Sequence, residues 1–500
     1  MRQEQFKNSG ILVLSNLAVN LSNFLKQVIM AYFLGVSSFI DLLLLAQIVP
    51  AIFQAMIGGG AGEILVIKRE KPGSREGSFE MIFIIFCLIP VIFLCIGYFL
   101  SLGMLTPFFE IKTEDEIIFR KLTFIFLLNA IPGTFTSVLR PHLYSKGLYS
   151  FYAKATIFSQ VAGITFILFT LKDLGIFSFA WGTLIGNIIN SIWFSFKAGL
   201  AFGDLFRYSI WRQEFSQLIK LMKRVFSLGL QTFLNYFGTF WERSLSVKYL
   251  SGGYLSSLNY SKTLSELPNA VLMSSILTTS YIEQVKLFKK DFVLFKEFTG
   301  KTFSEILNFG FIFQLLMLVF APLIIIIIFR RGNFNNLAVE STLTIFNILT
   351  VSFLPKLLFG YFSRSMYILG EYRKLLLASF IKVSVQIIIM FFFISSFKET
   401  IPFAILSGNL VVTMILFYIL HRKIGLAKWD WFLLRIIIIT IVSLLMYKFH
   451  VATLHYYILR SNFQIFLVYF PLILLISAVI IIYLIRTRRW SLIIKKFKAK

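Results

Sequence analysis

Charged residues and cysteines are both scarce in this sequence of 500 residues. Only 14% of the residues are charged, 58% are hydrophobic and the mean hydropathy is +0.81. These values exclude an ordinary soluble globular protein and predict a membrane protein that crosses the bilayer many times. Cys87 and Cys95 fall in one predicted helix about 12 Å apart, which is too far for a disulfide. We therefore expect two free, buried thiols.

Acidic residues are outnumbered by basic ones. The sequence has 49 lysines and arginines against 23 aspartates and glutamates, which gives a formal net charge of +26. A nucleic-acid-binding protein would carry this charge on a soluble basic surface, whereas here the basic residues lie in short gaps between apolar runs. The charge is therefore predicted to set the membrane orientation, and we expect no nucleic-acid partner.

Sequence patterns typical of enzymes are missing as well. We find no phosphate-binding loop, no paired-histidine metal motif and no defensible arrangement of Ser, His and Asp. The four histidines are His142, His421, His450 and His455. The last two share an outer loop, and we do not expect them to bind a metal. The first apolar run is too long and too polar on one face for a cleavable signal peptide. We therefore expect no enzyme activity, no cofactor and no metal site.

Runs of about 20 apolar residues predict an all-α protein with about fourteen transmembrane helices. The predicted spans are 9–34, 41–67, 80–103, 117–139, 149–171, 176–200, 225–248, 254–282, 302–329, 340–363, 374–396, 400–421, 429–449 and 462–485. Lysine and arginine number about thirty-two in the two ends and alternate gaps, and about eight in the remaining gaps. The positive-inside rule therefore places both termini in the cytoplasm.

The two halves of the chain repeat a pattern. Lys26 precedes Gly35 by nine residues, and Arg243 precedes Gly252 by nine. A proline follows each glycine in the next span: Pro50 and Pro268. Duplication is typical of transporters, whose substrate sites lie between the repeats. The predicted domains are a first helix bundle at 1–205, a cytoplasmic linker at 206–224, a second bundle at 225–421, and a helix pair with a basic tail at 422–500.

One face of the first predicted helix is polar although the helix is apolar enough to cross a membrane. The steps i, i+4, i+7 and i+11 place four amides on this face, with Ser22 and Lys26 beside it. The four amides are Asn16, Asn20, Asn23 and Gln27. Each polar group would lose several kcal/mol of hydration in lipid. The face must therefore contact a hydrated cavity or polar partners.

A second polar cluster lies in NYSKTLSELP, residues 259–268. Lys262 and Glu266 are spaced i, i+4, which fits an ion pair within one helix, or a lysine that binds an anionic substrate while the glutamate orients it. Further intramembrane charges are predicted at Glu242, Arg243, Lys356 and Lys382, of which Lys382 could snorkel to the membrane surface. Basic groups gathered between helix bundles suit a phosphate-bearing ligand.

The second predicted span combines an acid at its outer edge with a run of glycines further along. Asp41 has two open interpretations, a helix-start acid favoured by the helix dipole or a functional carboxylate. Gly58, Gly59 and Gly60 permit either close helix packing or a flexible break. A hinge for a moving helix, with Pro50 and Pro268 as further interruptions, is the preferred interpretation.

Four stretches of the chain, in order, resemble one known family. They are AYFLGVSSFIDLLLLAQIVPAIF, YLSGGYLSSLNYSKTLSELPNAVL, FRRGNF and LLFGYFSRSMY. Together they resemble the MurJ (MviN) lipid II flippases of the multidrug/oligosaccharidyl-lipid/polysaccharide exporter superfamily, over about residues 10 to 420. The resemblance implies two pseudo-symmetric six-helix bundles around a cationic cavity. It also implies a final helix pair whose groove could hold a polyprenyl tail.

Some residues match the family's motifs and others depart from them. Lys26 stands where the first helix usually has an arginine, Asp41 matches the acid after the glycine turn, and Arg364 matches the arginine of the tenth-helix motif. Other expected charges are replaced by Asn20, Gln54, Ala55, Gly59 and Thr263. The charge implied for pyrophosphate binding is thus thinner than in the family and partly replaced by amides.

The resemblance implies alternating access that moves an undecaprenyl-pyrophosphate-linked precursor, most simply lipid II, from the inner to the outer leaflet of the bacterial cytoplasmic membrane. We expect a monomer. The predicted substrate-binding residues are Lys26, Asn16, Asn20, Asn23, Gln27, Asp41, Gln54, Arg243, Lys262, Thr263, Glu266, Lys356 and Arg364.

Alternative functions stay open. One is a flippase for another lipid-linked glycan, such as an O-antigen, capsule or exopolysaccharide repeat unit, and another is a cation-coupled drug exporter. A polytopic glycosyltransferase is disfavoured, because such enzymes generally need a substantial acidic first outer loop and Asp41 is the sole acid in the short first gap. The sequence does not choose between membrane potential, protons and sodium ions as the energy source.

Overall fold

The computed structural model describes residues 2–69, 76–200, 208–272 and 277–425, together with isolated positions between 434 and 464. Apart from one short 3-10 turn at Pro107–Phe109, every element in this part is an α-helix. This follows from the apolar composition, because a chain in hydrocarbon must satisfy its backbone hydrogen bonds within itself. The prediction of an all-α polytopic fold is confirmed.

The first half of the chain, here called the N-lobe, contains six helices that match the first six predicted spans. They are α1 (Arg2–Leu34), α2 (Ser38–Arg69), α3 (Glu76–Leu105), α4 (Thr113–Ser145), α5 (Tyr149–Leu174) and α6 (Phe177–Ala198). Prolines within α2, α3 and α4 do not end these helices. Pro50, predicted to interrupt the second span, lies inside the continuous α2.

The second half, here called the C-lobe, contains nine helices in its described part. They are α7 (Tyr208–Tyr249), α8 (Tyr254–Leu272), α9 (Thr278–Lys290), α10 (Phe292–Val319), α11 (Ala321–Phe329), α12 (Asn336–Val351), α13 (Phe353–Ile368), α14 (Tyr372–Phe393) and α15 (Thr400–Ile424). The segment predicted as a linker is helical from Tyr208 and continuous with α7. Pro268 lies inside α8, as Pro50 lies inside α2.

Two predicted spans of the C-lobe are divided. The span at 302–329 becomes parts of α10 and α11, and the span at 340–363 becomes α12 and α13, which meet at 42°. The span at 254–282 is described as α8 and α9, and residues 273–276 between them lie outside the described residues. Pro322 in the first turn of α11 explains one break, because proline cannot donate the backbone bond that would continue α10. Within the described ranges, eight helices are long and apolar enough to cross a membrane, and α12 with α13 would add a bent ninth span.

The repeated turns of the two lobes are confirmed with a change of one residue. Gly35 between α1 and α2 has a φ of +65°, and its counterpart between α7 and α8 is Gly253, with a φ of +93°, rather than Gly252. Both positions favour glycine, because other residues rarely adopt this conformation. Counted from Gly35 and Gly253, the prolines of the following helices both lie 15 residues further on.

Glycines let α2 pack closely against a helix of each lobe. A side-chain carbon added at Gly58 would lie 2.7 Å from Ser137 Cβ of α4, and one added at Gly229 of α7 would lie 2.0 Å from Met56 O of α2. Gly58 therefore serves close packing, one of its two predicted roles. The helix continues through Gly59 and Gly60, whose surroundings lie outside the described residues, so the hinge stays a prediction.

The end of the chain is described only in part. The predicted helix pair and tail at 422–500 lie mostly outside the described residues. His450, one of the described positions, is buried with its Nδ1 3.2 Å from Asn347 Oδ1 of α12, so this segment contacts the C-lobe at that point. Cys87 and Cys95 are buried and free, as predicted.

Candidate functional site

The polar face of α1 lies between the two lobes. Lys26 Nζ donates to Gln160 Oε1 of α5 over 2.7 Å, and Gln27 Oε1 accepts from Asn259 Nδ2 of α8 over 2.9 Å. Asn23, one turn before Gln27 on the same face, is exposed, and Asn20 is half-buried. The side chain of Asn16 lies outside the described residues. The expectation of polar partners is met for Lys26 and Gln27.

Asp41 joins the lobes at the end of the molecule that contains the α1–α2 turn, which the charge pattern predicts to face outward. Its carboxylate is buried and accepts hydrogen bonds of 2.7 Å from Gly253 N and from Ser256 N, at the start of α8. A carboxylate at a helix N-terminus accepts hydrogen bonds from unpaired N–H groups, and its negative charge interacts favourably with the positive end of the helix dipole. Asp41 is therefore a helix-start acid for α8 of the opposite lobe rather than for its own helix alone.

The loop that contains FRRGNF is hydrogen-bonded to the end of α1, close to Asp41 in the chain. Asn333 N donates to Tyr32 O over 2.9 Å and Asn333 Nδ2 donates to Phe33 O over 2.5 Å. Tyr260 of α8 donates its hydroxyl to Gly35 O over 2.9 Å. We call these three contacting segments, residues 32–41, 252–260 and 330–335, the outer junction. It holds α1 and α2 against the C-lobe.

Arg243 adds a bond between the lobes below the outer junction. Its guanidinium donates to Leu44 O of α2 and is half-buried. Arg243 lies six residues from the end of α7, about 9 Å into the helix. The structure thus gives this predicted substrate residue a partner in the N-lobe.

Lys262 and Glu266 do not pair with each other, although their spacing allows it. Lys262 Nζ donates to both carboxylate oxygens of Glu242 on α7, and Lys356 Nζ of α13 donates to Glu266. The ion pair expected within α8 is therefore replaced by two ion pairs between helices, because α7 and α13 each bring an opposite charge to α8. Both interactions are charge-assisted hydrogen bonds.

The second of these ion pairs is exposed although it lies deep in the predicted membrane. Lys356 and Glu266 have side chains 41% and 52% exposed, and Glu266 lies about 18 Å along α8 from its outer end. Exposed charges at such depth face water rather than lipid, because a charge in hydrocarbon is costly. This position and the exposed Asn23 of α1 indicate a hydrated space between the lobes.

Lys382 does not snorkel. It lies ten residues into α14 and eleven from its end, so both membrane surfaces are about 15 Å away. Its Nζ lies 3.4 Å from Asn235 Oδ1 of α7 and 5.2 Å from the centre of the Phe359 ring. It is also within electrostatic range of the charges of Lys262, Lys356, Glu242 and Glu266. Sequence reasoning underrated this lysine because hydropathy does not show what surrounds it.

Other predicted site residues lie elsewhere. Gln54 packs against α4, with its Nε2 3.4 Å from Ser137 Oγ. Thr263 donates back to Asn259 O of its own helix, and Arg364 stacks 6.0 Å from the centre of the Tyr281 ring near the inner end of α13. A largely apolar cavity of about 810 Å³ between α4 and α6 is lined by none of these residues. A cavity of about 30 Å³ adjoins Lys262, Glu266 and Lys356.

Comparison with known proteins decides the family. The family model described as "Lipid II flippase MurJ" matches residues 30–476. The chain belongs to the MurJ lipid II flippase family. A solved lipid II flippase MurJ in an inward closed conformation has a TM-score of 0.73 at 19% sequence identity, covering 96% of this chain and 98% of that chain. No match was found among curated proteins.

Structures outside the MurJ family share the fold at lower similarity. A multidrug resistance MATE family transporter of the MOP superfamily, in an inward-facing conformation, has a TM-score of 0.59 at 14% identity, covering 83% of this chain and 98% of that chain. A MOP superfamily transporter from Pyrococcus furiosus has a TM-score of 0.58 at 14% identity, covering 84% and 96%. Membership of the MurJ family makes this chain a multi-pass membrane transporter rather than an enzyme.

Sequence reasoning missed several partners that the MurJ-family fold brings together. Gln160 and Asn259 hold α1, Asn333 anchors the outer junction, and Glu242 pairs with Lys262. The available signal was an isolated amide in the middle of an apolar span, as at Gln160. For Asn333 the available signal was its place in FRRGNF, a motif that supported the family resemblance but had no physical role assigned to it from the sequence.

Proposed function

We propose that this protein moves an undecaprenyl-pyrophosphate-linked cell-envelope precursor, with lipid II as the leading substrate, from the cytoplasmic to the outer leaflet by alternating access. The observation that carries the proposal is the pair Lys356 and Glu266, exposed at mid-depth in the C-lobe on α13 and on α8, the latter of which contacts α1 and α2 of the N-lobe. Such a hydrated, charged space suits a polar headgroup, while the lipid tail stays in hydrocarbon. Membership of the MurJ family supports the substrate class.

Roles for the site residues follow from their chemistry. Lys26, Lys262 and Lys356 attract phosphate oxygens, because an ammonium donates charge-assisted hydrogen bonds in several directions. The amides of Asn16, Asn20 and Asn23 suit phosphate or sugar groups. Gln27 and Arg243 act in closing the space rather than in holding the substrate, since both bond across the lobes.

Transport requires the outer junction to open and close. The junction is closed in this structure, with Asp41, Tyr260 and Asn333 each bonded to the opposite lobe. Release to the outer leaflet needs these bonds to break while the lobes rock apart. The glycines at 58–60 act as the hinge in α2, aided by the missing backbone bonds at Pro50 and Pro268.

Another lipid-linked glycan is the second candidate substrate. Asn20, Gln54 and Thr263 stand where the resemblance implies charged residues, so this protein offers fewer cations to a pyrophosphate and more amides to sugars. Both candidates share the polyprenyl-pyrophosphate anchor. They differ in the glycan and peptide that the space must admit.

Transport by the purified protein in vesicles tests both candidates. The vesicles carry lipid II or a polyprenyl-pyrophosphate O-antigen unit, and a membrane-impermeant enzyme modifies whatever reaches the far leaflet. We expect lipid II to cross faster than in vesicles without protein. Transfer of the O-antigen unit alone would replace lipid II by the second candidate, and transfer of neither would reject the proposal.

The proposed location is the bacterial cytoplasmic membrane, with both termini in the cytoplasm and one chain as the working unit. Single cysteines at Lys112 and Lys289 test the orientation, because they lie in gaps on predicted opposite sides and are both exposed. In intact cells a membrane-impermeant thiol reagent is expected to label position 112 and not position 289. Labelling of position 289 and not of position 112 would show that the termini lie outside the cell and that the predicted orientation is wrong.

A further inference from the structure

The C-lobe places five charged side chains around one point at mid-depth. They are Lys262, Lys356, Lys382, Glu242 and Glu266, here called the C-lobe charge cluster. Lys262 bonds Glu242, Lys356 bonds Glu266, and each lysine or glutamate comes from α7, α8, α13 or α14. Since α7 and α8 border the N-lobe, the cluster lies next to the space between the lobes.

The cluster carries one positive charge in excess. Three lysines face two carboxylates, and in the described part of the chain Lys382 contacts only a neutral amide and an aromatic ring. Within a membrane protein an uncompensated charge is costly unless a partner or water accompanies it. A cluster of this composition favours an anion and disfavours a further cation.

The space inside the cluster itself is nearly closed in this structure, although the Lys356–Glu266 pair is exposed on its outer side. The adjoining cavity of about 30 Å³ has apolar residues in its lining and, as its polar part, Lys262, Ser265, Glu266, Ser352, Lys356 and Asn409. This volume suits about one water molecule. A phosphate group that reaches the exposed side of the Lys356–Glu266 pair therefore bonds the lysines only where one or both carboxylates give them up and move aside.

We propose that the C-lobe charge cluster is a pyrophosphate site whose two glutamates occupy the lysines until the substrate arrives. The inference rests on the proposed function and extends it. In the absence of substrate, the carboxylates of Glu242 and Glu266 accept the hydrogen bonds of Lys262 and Lys356 and keep both lysines in position. Phosphate oxygens then replace the carboxylates as acceptors. The positive charge of Lys382 makes this replacement favourable.

The same exchange reaches the contacts between the lobes. Glu242 is followed by Arg243, which bonds Leu44 O of α2, and Lys262 lies three residues after Asn259, which bonds Gln27 of α1. Separating Glu242 from Lys262 releases α7 from α8 at the level of both contacts. Pyrophosphate binding would therefore loosen the bonds that keep the outer side closed.

Binding of inorganic pyrophosphate to the purified full-length protein tests the site by calorimetry. Glu266→Gln frees Lys356 and is expected to raise the affinity severalfold. Lys382→Met removes the excess charge and is expected to lower the affinity about tenfold or more, whereas Lys382→Arg retains it. Lys398→Met, at an exposed lysine beyond the end of α14, is the matched control and should leave the affinity unchanged.

The outcomes separate this inference from the proposed function. Unchanged affinity in both Glu266→Gln and Lys382→Met would overturn the site, even if lipid II crosses the vesicle membrane. If Lys382→Met does not fold, Glu266→Gln and Glu242→Gln decide alone. The expected shifts without lipid II transport would leave the anion site standing and reject the proposed substrate.

The coupling to the outer junction has a test of its own, which is the rate of hydrogen exchange in residues 252–260. Faster exchange on adding pyrophosphate supports the coupling, and unchanged exchange contradicts it.

Discussion

Lys26 is the N-lobe side chain whose role in transport can be tested most simply. Its Nζ bonds Gln160 Oε1 in the middle of the lobe, so it is positioned by α5 while its charge stays available to the space between the lobes. Lys26→Ala is expected to abolish transport while leaving membrane insertion intact. Lys26→Arg keeps the charge and is expected to complement a strain depleted of its own flippase. Full complementation by Lys26→Ala would remove Lys26 from the site.

Asp41 accepts two backbone hydrogen bonds across the outer junction. Asp41→Asn removes the negative charge at the N-terminus of α8. We expect the substitution to weaken the capping of α8 by about 1 kcal/mol. We expect faster hydrogen exchange in residues 252–260 and slower growth in the complementation assay. Asp173→Asn, at the exposed end of α5, is the control. Equal exchange in the two variants would show that Asp41 does not hold the junction.

Among the elements, α2 carries the proposed motion. Gly58→Ala alone cannot separate packing from flexibility, because its new carbon would lie 2.7 Å from Ser137 Cβ. Adding Ser137→Gly restores the room. We expect the double variant to unfold at the wild-type temperature and yet to transport several times more slowly, because alanine stiffens the helix. Wild-type transport by this double variant would leave Gly58 with packing alone.

The helices were largely predictable, and their breaks were not. Long apolar runs located α1 to α6, with ends that differ by up to seven residues at the start of α1, because hydropathy measures the property that membrane insertion requires. The breaks at Phe320 and at Ser352 were missed. Apolar residues continue across them, so the average hydropathy does not change where the backbone direction does.

At the scale of the whole molecule, the sequence predicted which polar residues need partners but not which partners they find. Lys262 was matched with Glu266 because they are one turn apart, whereas its partner is 20 residues away in Glu242. Asp41 caps a helix start more than 200 residues further along the chain. Pairs between helices depend on packing, and one sequence without relatives shows only neighbours along a helix.

The two lobes form a transporter only if the outer junction opens during each cycle. Its bonds join residues 32–41 of the N-lobe to two segments of the C-lobe, and the hydrated charges lie beneath it. Gly252 would place a side-chain carbon 3.4 Å from Ser38 Cβ, close to the separation found in disulfides. Cysteines at these two positions can therefore lock the junction. The native Cys87 and Cys95 are buried and do not compete.

The most direct test is lipid II transport by the Ser38→Cys, Gly252→Cys protein in vesicles, measured before and after reduction of the disulfide. We expect no transport by the cross-linked protein and recovery of the wild-type rate on reduction, with each single-cysteine variant active throughout. Transport at the wild-type rate by fully cross-linked protein would contradict it.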